Sequence, residues 1–189
     1  DYIEFQNNKA VADVEACGGA IFFHYDASLV MNDGNGTLIF ENNSVTANSI
    51  ATGGAIYSAR NLSMIADTVK LTGNKVTVLA DDASAGGGAI YSTKDHTFQD
   101  SGTVEICNNG IYTTDVTNAV GGGVYTKGNL TFSNNGSVIV RGNSISDDSH
   151  VVLQGLHSDK SITLNTNGEN SIRIYDAVYA ENYLDLNCG

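Results

Sequence analysis

The chain has 189 residues, of which 41% are hydrophobic, 21 are glycine and none is proline. Its 21 acidic and 9 basic residues give a net charge of −12, which disfavours nucleic acid and anionic lipid as partners. The longest apolar run is too short to span a membrane, and the lack of proline suits a chain whose backbone N–H groups are needed in strand ladders.

The first predicted element is a short apolar strand that ends in asparagine. It recurs along the chain, and the steps between its final asparagines are 35, 31, 35 and 34 residues, from Asn8 through Asn43, Asn74 and Asn109 to Asn143. Self-similarity at such a period indicates one structural unit that has been copied.

The second and third predicted elements follow in each unit. The second opens with a Gly-Gly-Ala-Ile cassette, and a fourth copy reads Gly-Gly-Gly-Val from Gly121. The three unchanged copies are Gly18, Gly19, Ala20 and Ile21; Gly53, Gly54, Ala55 and Ile56; and Gly87, Gly88, Ala89 and Ile90. The third alternates apolar residues, as in Leu29/Met31, Leu62/Met64, His96/Phe98, Leu130/Phe132 and Ile162/Leu164. Because period-two alternation predicts strands, each unit is expected to hold three.

Units of this kind predict an all-β fold, a right-handed parallel β-helix of about five three-stranded coils. One unit cannot bury its apolar side alone, whereas stacking pairs each strand with its copy in the next coil. We expect residues 1–189 to form a single segment of this type. Since the chain opens at Asp1 and Tyr2 just as a repeat strand begins, we interpret it as a fragment of a longer protein with open ends that associate end to end or as a homo-oligomer.

Stacking in register predicts columns of equivalent side chains. Two inward columns are expected on the strands, one of Phe5, Phe40, Leu71, Ile106, Val140 and Ile174, and one of Ile21, Ile56, Ile90, Val124 and Leu156. A third apolar column is expected at the base of the following loop, formed by Ala10, Val45, Val76, Ile111 and Ile145. An outward aromatic column is expected at Phe22, Tyr57, Tyr91 and Tyr125, continued by His157. Such a column suits a sugar or protein partner, but stacked rings also simply stabilise parallel ladders, and both interpretations stay open.

Four further features are candidates for contact with a partner. Long loops are predicted at 9–17, 44–52, 75–86, 110–120 and 144–154, and loops on a rigid scaffold are where recognition usually occurs. The asparagine column and the glycine cassettes have structural interpretations, as tight corners and close packing, beside direct contact with a partner. A basic strip is predicted at one turn, formed by Arg60, Lys94, Lys160 and, one place off, Lys127.

Catalysis is not indicated. The outward positions of the first strand bring no two carboxylates to the roughly 5–9 Å spacing of a glycosidase, and Lys70 beside Glu105 reads as an ordinary ion pair. His96 falls in an inward column and is expected to be a hydrogen-bonded core residue, or else to mark a local slip in register. We therefore expect no enzymatic activity, no cofactor and no bound metal, and a polysaccharide lyase or hydrolase is the third-ranked alternative.

The repeated cassettes resemble the passenger domains of the polymorphic outer-membrane proteins of chlamydiae. The Gly-Gly-Ala-Ile copies match one motif of that family, and Phe5 to Asn8, Phe40 to Asn43 and Phe132 to Asn135 match its Phe-x-x-Asn motif. The stretch from Gly168 to Val178 is similar to a further conserved segment, with Ala177 and Val178 in place of Pro-Ile.

The resemblance implies an autotransporter adhesin, exposed at the bacterial cell surface or outer membrane, that binds a host-cell protein or glycan. It also implies that both tetrapeptide motifs take part in adhesion and that the membrane is reached only through a carboxy-terminal β-barrel outside this chain. The alternative within the same family is a structural spacer or stalk.

Overall fold

The computed structural model describes residues 1–31, 35–166 and 172–188, and short β-strands follow one another throughout. The first coil contains β1 (Tyr2–Gln6), β2 (Lys9–Val11), β3 (Glu15–Cys17), β4 (Ile21–Phe23) and β5 (Ala27–Val30). The second contains β6 (Thr37–Glu41), β7 (Ser44–Ala47), β8 (Ile50–Thr52), β9 (Ile56–Ser58) and β10 (Leu62–Ile65). The third contains β11 (Thr68–Thr72), β12 (Lys75–Val78), β13 (Ser84–Gly86), β14 (Ile90–Ser92) and β15 (His96–Gln99).

The remaining coils follow the same order with small variations. The fourth contains β16 (Thr103–Cys107), β17 (Gly110–Tyr112), a turn of 3-10 helix (Val116–Asn118), β18 (Ala119–Val120), β19 (Val124–Thr126) and β20 (Leu130–Asn135). The fifth contains β21 (Ser137–Arg141), β22 (Ser144–Ser146), β23 (Val151–Ser158) and β24 (Ser161–Thr166). A last set contains β25 (Ile172–Ile174), β26 (Ala177–Ala180) and β27 (Tyr183–Cys188). Gly168, which opens the family-like stretch, lies outside the described residues.

Equivalent strands of successive coils pair in parallel and form five sheets along the axis. Sheet A has the order β1-β6-β11-β16-β21-β25, sheet B begins β2-β7-β12-β17-β22, and sheet C is β3-β8-β13-β18. Sheet D is β4-β9-β14-β19-β23-β26, and sheet E is β5-β10-β15-β20-β24-β27. The predicted parallel β-helix is confirmed, since the pairs Phe5↔Phe40 and Ile56↔Ile90 reproduce the expected columns.

The coil has five strands where three were predicted. Residues 9–17, 44–52, 75–86 and 110–120 are not long loops, because sheets B and C occupy most of each range. Their inward side chains form a second core that includes Val45, Val76, Ile111, Ala51 and Ala85. Small alanines in sheet C give little apolar signal in the sequence, which is why this part of the coil was interpreted as loop.

The fifth coil departs from the others at residues 144–154. Here β23 pairs antiparallel with β22, with Ile145 opposite Val152, so the chain turns back where the earlier coils continue forward. The turn is closed by Asp147, whose carboxylate accepts hydrogen bonds from the backbone N–H groups of Ser149 and His150. The prediction of a long loop at 144–154 is therefore wrong as well, because β22 and the start of β23 occupy most of this range.

The main core lies between the inward faces of sheets A, D and E. In the first coil the register of sheet E differs from the predicted one, because Ala27 pairs with Leu62 and Leu29 with Met64. Either register keeps apolar side chains inward. The observed one is fixed by Asp26, whose carboxylate accepts a hydrogen bond of 3.0 Å from the backbone N–H of Asn61.

Candidate functional site

The first glycines of the cassettes form the corner between sheets C and D. Gly18, Gly53 and Gly87 all have φ between 62° and 65°, a left-handed conformation that glycine adopts without strain. The second glycines let successive coils approach, since a Cβ on Gly54 would lie 2.0 Å from the carbonyl oxygen of Gly88. Both glycines therefore serve the backbone; they are buried in the second and third coils and partly buried in the first.

The other predicted binding residues of the two motifs lie mostly inside. Ala55, Ile56, Ala89 and Ile90 are fully buried, and Ala20 and Ile21 are partly buried against the same core. Phe40 is fully buried and its ring stacks on Phe5, with centroids 4.9 Å apart.

The asparagines at the end of sheet A form a hydrogen-bonded ladder. Each amide Nδ2 donates to the Oδ1 of the next asparagine, as from Asn8 to Asn43 at 2.9 Å and from Asn74 to Asn109 at 2.9 Å. A second amide hydrogen donates to a main-chain carbonyl, for Asn43 that of Phe5. Buried amides that are satisfied in this way stabilise the stack and leave no group for a ligand.

The aromatic column does lie on the outer face, as predicted. Phe22 is 53% exposed, Tyr57 and Tyr91 are half-buried, and Tyr125 is 6% exposed. Neighbouring rings are parallel from Phe22 to Tyr57 at 4.9 Å and from Tyr57 to Tyr91 at 5.4 Å. Parallel rings this close cover one another's faces, so this part of the column offers ring edges to a partner.

The parallel stack is broken between Tyr91 and Tyr125. Their planes are inclined by 65°, with centroids 5.0 Å apart. Tyr125 is turned because its hydroxyl donates a 2.7 Å hydrogen bond to Asp159, which also lies 3.4 Å from Nε2 of His157. Burial raises the pKa of Tyr91 to about 12, and burial together with Asp159 raises the pKa of Tyr125, so both phenols stay neutral at physiological pH.

A groove opens at this break, between the outer faces of sheets C and D, and we call it the aromatic groove. It has a volume of about 330 Å³, and its walls are formed by Thr52, Ser84, Tyr91, Asn118, Tyr125 and Lys127, with apolar contacts from Ile50, Ala85 and Val120. Glycine at position 86 leaves space for the Tyr91 ring in the groove wall, because a Cβ there would lie 2.8 Å from the ring atoms Cδ2 and Cε2 of Tyr91.

Lys127 stands over the groove on the same face as the tyrosines. The predicted basic strip is interrupted in the fourth coil because Gly128 aligns with Lys94 and Lys127 comes one place earlier. That position is two residues beyond Tyr125, so the side chain points outward, and Nζ lies 5.9 Å from the centroid of the Tyr91 ring. This combination of ring, hydroxyl, amide and ammonium groups can bind a small amphipathic ligand.

Sequence reasoning found one wall of the groove and missed the other. The aromatic column was expected, whereas Thr52, Ser84 and Asn118 fell in ranges interpreted as loops. A signal was present in the small residues that precede each cassette, because only small side chains leave space beside a ring. In the described ranges no group of three or more His, Cys, Asp or Glu could hold a metal ion, and no helix is long and apolar enough to cross a membrane.

The family comparison agrees with the motifs of the first two coils. The model of the Chlamydia polymorphic membrane protein repeat matches residues 2–24 and 37–59, which span β1–β4 and β6–β9. Both ranges are similar to polymorphic membrane protein repeats. This confirms the resemblance proposed from Phe-x-x-Asn and Gly-Gly-Ala-Ile. No curated protein and no solved structure matches the chain.

Polymorphic membrane protein repeats belong to a family of non-enzymatic, adhesin-type autotransporter passengers associated with the outer membrane. In this chain the matched ranges contain the motif residues that build the corner and the core. The aromatic groove lies mainly in the third and fourth coils, beyond the matched ranges.

Proposed function

We propose that this chain is a surface-exposed adhesin segment that binds a host-cell glycan or protein through the aromatic groove on its outer strand face. The observation that carries the proposal is the break in the aromatic column, which opens a groove lined by Tyr91, Tyr125 and Lys127. The family match supports an extracellular adhesive role at the bacterial surface.

Rigidity supports this site over the loops. Most groove residues stand on strands of sheets C and D that pair in register with their neighbours, Lys127 directly follows β19, and Asn118 ends the 3-10 turn, so the site is held in place before a partner arrives. Preorganisation lowers the entropic cost of binding. In the four coils that contain sheet C, the connection between sheets B and C has only two to six residues, which leaves little loop surface for recognition.

Attachment of the fluorescent chain to cultured epithelial cells tests the proposal. Ser84 is exposed at the groove, so Ser84→Trp fills it without disturbing the core, and we expect attachment to fall to background. Ser28→Trp is the matched control, since Ser28 is exposed on the outer face of β5, and it should attach like the wild type. Unchanged attachment of a folded Ser84→Trp variant would overturn the groove as the binding site.

A structural spacer is the second candidate function. It is favoured by the burial of Ala55, Ile56, Ala89 and Ile90, because repeated residues that serve only the core are what a stalk requires. The same assay separates the two functions: a spacer does not attach to cells at all, whether the groove is open or filled.

A further inference from the structure

We infer that the aromatic groove binds a sugar residue that carries a carboxylate, such as a sialic or a uronic acid. Lys127 would pair with the carboxylate, and Tyr91 and Tyr125 would contact the sugar ring. This inference rests on the proposed function, whose binding site it shares, and adds the chemical class of the ligand.

The ammonium group of Lys127 has no anionic partner in the part of the chain that the structure describes. Ion pairs within 4 Å join Lys70 to Glu105, and His150 and His157 to aspartates, but none involves Lys127. Asp159, which follows Lys127 in the same column of the next coil, is engaged by Tyr125 and His157 instead. On a chain of net charge −12, a cation left unpaired beside a groove is available to an anionic ligand.

The other groups of the groove suit a sugar. A pyranose ring has apolar C–H faces that pack on aromatic rings, and its hydroxyls pair with short polar side chains. Tyr91 and Tyr125 meet at 65°, so the break exposes ring surface that a parallel stack would cover, and Thr52, Ser84 and Asn118 supply polar atoms on the opposite wall. The volume of about 330 Å³ lies at the lower end of the range for small-molecule sites, as expected for one or two sugar residues.

The local charge favours a carboxylate over a sulfate or phosphate. A doubly charged or densely charged group is normally held by several bases, whereas Lys127 is the single base that lines the groove, and the carboxylates of Asp159 and Glu15 are close enough to Tyr91 to raise its pKa. One ammonium with one carboxylate forms a neutral pair, so no excess negative charge is added to this surface.

Calorimetric titration of the purified chain tests the inference. The probes are sialyllactose, a hyaluronan oligosaccharide, lactose and a sulfated lactose, which carries a sulfate and no carboxylate. We expect one of the first two to bind and the other two to bind at least about tenfold more weakly, because lactose lacks the charge-assisted contact and a single base suits a sulfate less well. The preferred probe identifies the source of the acid, and sialidase or hyaluronidase treatment of cells should abolish attachment accordingly.

Substitutions of Lys127 test whether its ammonium group binds the carboxylate of the sugar. Lys127→Ala should weaken binding of the acidic sugar about tenfold and remove its salt dependence, and Lys127→Arg should retain binding. Lys94→Ala, a base at the same turn of the preceding coil, should change neither. Equal affinity for lactose and the acidic sugars, or an unchanged Lys127→Ala variant, would overturn the inference. Attachment that depends on the open groove without binding of any acidic probe would overturn it too, and would leave the proposed function standing.

Discussion

At the residue scale, the stack of coils is stabilised by side chains that form hydrogen bonds with the equivalent residue in the next coil. The asparagine ladder is directional, because every Nδ2 donates toward the following coil. At its end Asp176 replaces asparagine and accepts three hydrogen bonds, from the backbone N–H groups of Gly142 and Asn143 and from Nδ2 of Asn143. A carboxylate accepts only, so it is the residue type that terminates a series of donors.

The ladder predicts a large cost for removing one central amide. Asn74→Ala leaves the backbone N–H and Nδ2 of Asn43 without their acceptor and the carbonyl of Phe40 without its donor, all in a buried position. We expect the free energy of unfolding to fall by about 3 kcal/mol or more, measured by urea denaturation. Asn8→Ala at the exposed start of the ladder is the control and should cost much less. Equal effects of the two substitutions would contradict the cooperative ladder.

The buried ring of His96 leads us to expect that the protein is less stable in acid. The ring is fully buried, Nδ1 lies 3.1 Å from the carbonyl of Leu62, and Nε2 has no hydrogen-bond partner. Burial lowers its pKa from 6.5 to about 4, so the unfolded chain takes up the proton first as the pH falls. Between about pH 6.5 and pH 4, stability should therefore decrease, by up to about 1.4 kcal/mol per pH unit.

His96→Leu is the matched variant for this measurement, because Leu62 and Leu130 occupy the same column in the neighbouring coils. Its melting temperature should depend less on pH over this window than that of the wild type. If the two pH profiles coincide, His96 does not titrate as described.

At the element scale, the Gly-Gly-Ala-Ile cassette is a device for turning the chain and stacking coils closely. The first glycine supplies the left-handed corner, the second allows backbone contact between coils, and the alanine and isoleucine enter the core. A motif that recurs for these reasons marks architecture, and the residues that differ between copies are better candidates for recognition.

Two glycines test this interpretation of the cassette. Gly54→Ala would place Cβ 2.0 Å from the carbonyl oxygen of Gly88 and 2.8 Å from the backbone nitrogen of Lys75, so the coils must separate. We expect a loss of about 3 kcal/mol or failure to fold. Gly110→Ala is the control, because its Cβ would lie 3.6 Å from the nearest atoms, and it should be neutral or stabilise the fold by up to about 1 kcal/mol. Thermal denaturation of both variants measures these changes in stability.

At the scale of the whole molecule, both terminal coils present apolar side chains. Ile3 and Phe22 are exposed in the first coil, and Tyr179, Leu184 and Leu186 are exposed in the last strands. Continuing the columns would set Arg173 beside Glu4 and Tyr179 beside Phe22 of a second copy. We expect weak end-to-end association, because Asp176 has no amide hydrogen with which to continue the ladder into Asn8.

A charge reversal tests this association. Arg173→Glu should lower the sedimentation coefficient observed at high protein concentration, because two carboxylates would then face each other. The double variant Arg173→Glu with Glu4→Arg should restore it. Wild-type sedimentation that is independent of concentration, or a double variant that stays as low as the single one, would contradict the predicted contact.

The sequence by itself determined the period, the parallel stacking and most columns. The reason is that in a solenoid each residue packs against the equivalent residue of the next coil, so a repeat in the sequence predicts a contact in the structure. It also determined the ion pair of Lys70 with Glu105, observed at 3.8 Å, and the inward position of His96. Tertiary structure alone decided the features that depend on contacts between different parts of a coil. Sheet C is built from small residues without an apolar pattern, β23 turns back on β22, and the aromatic column breaks because Asp159 draws Tyr125 aside. The aromatic groove follows from the first and the third of these features, and no periodicity encodes it.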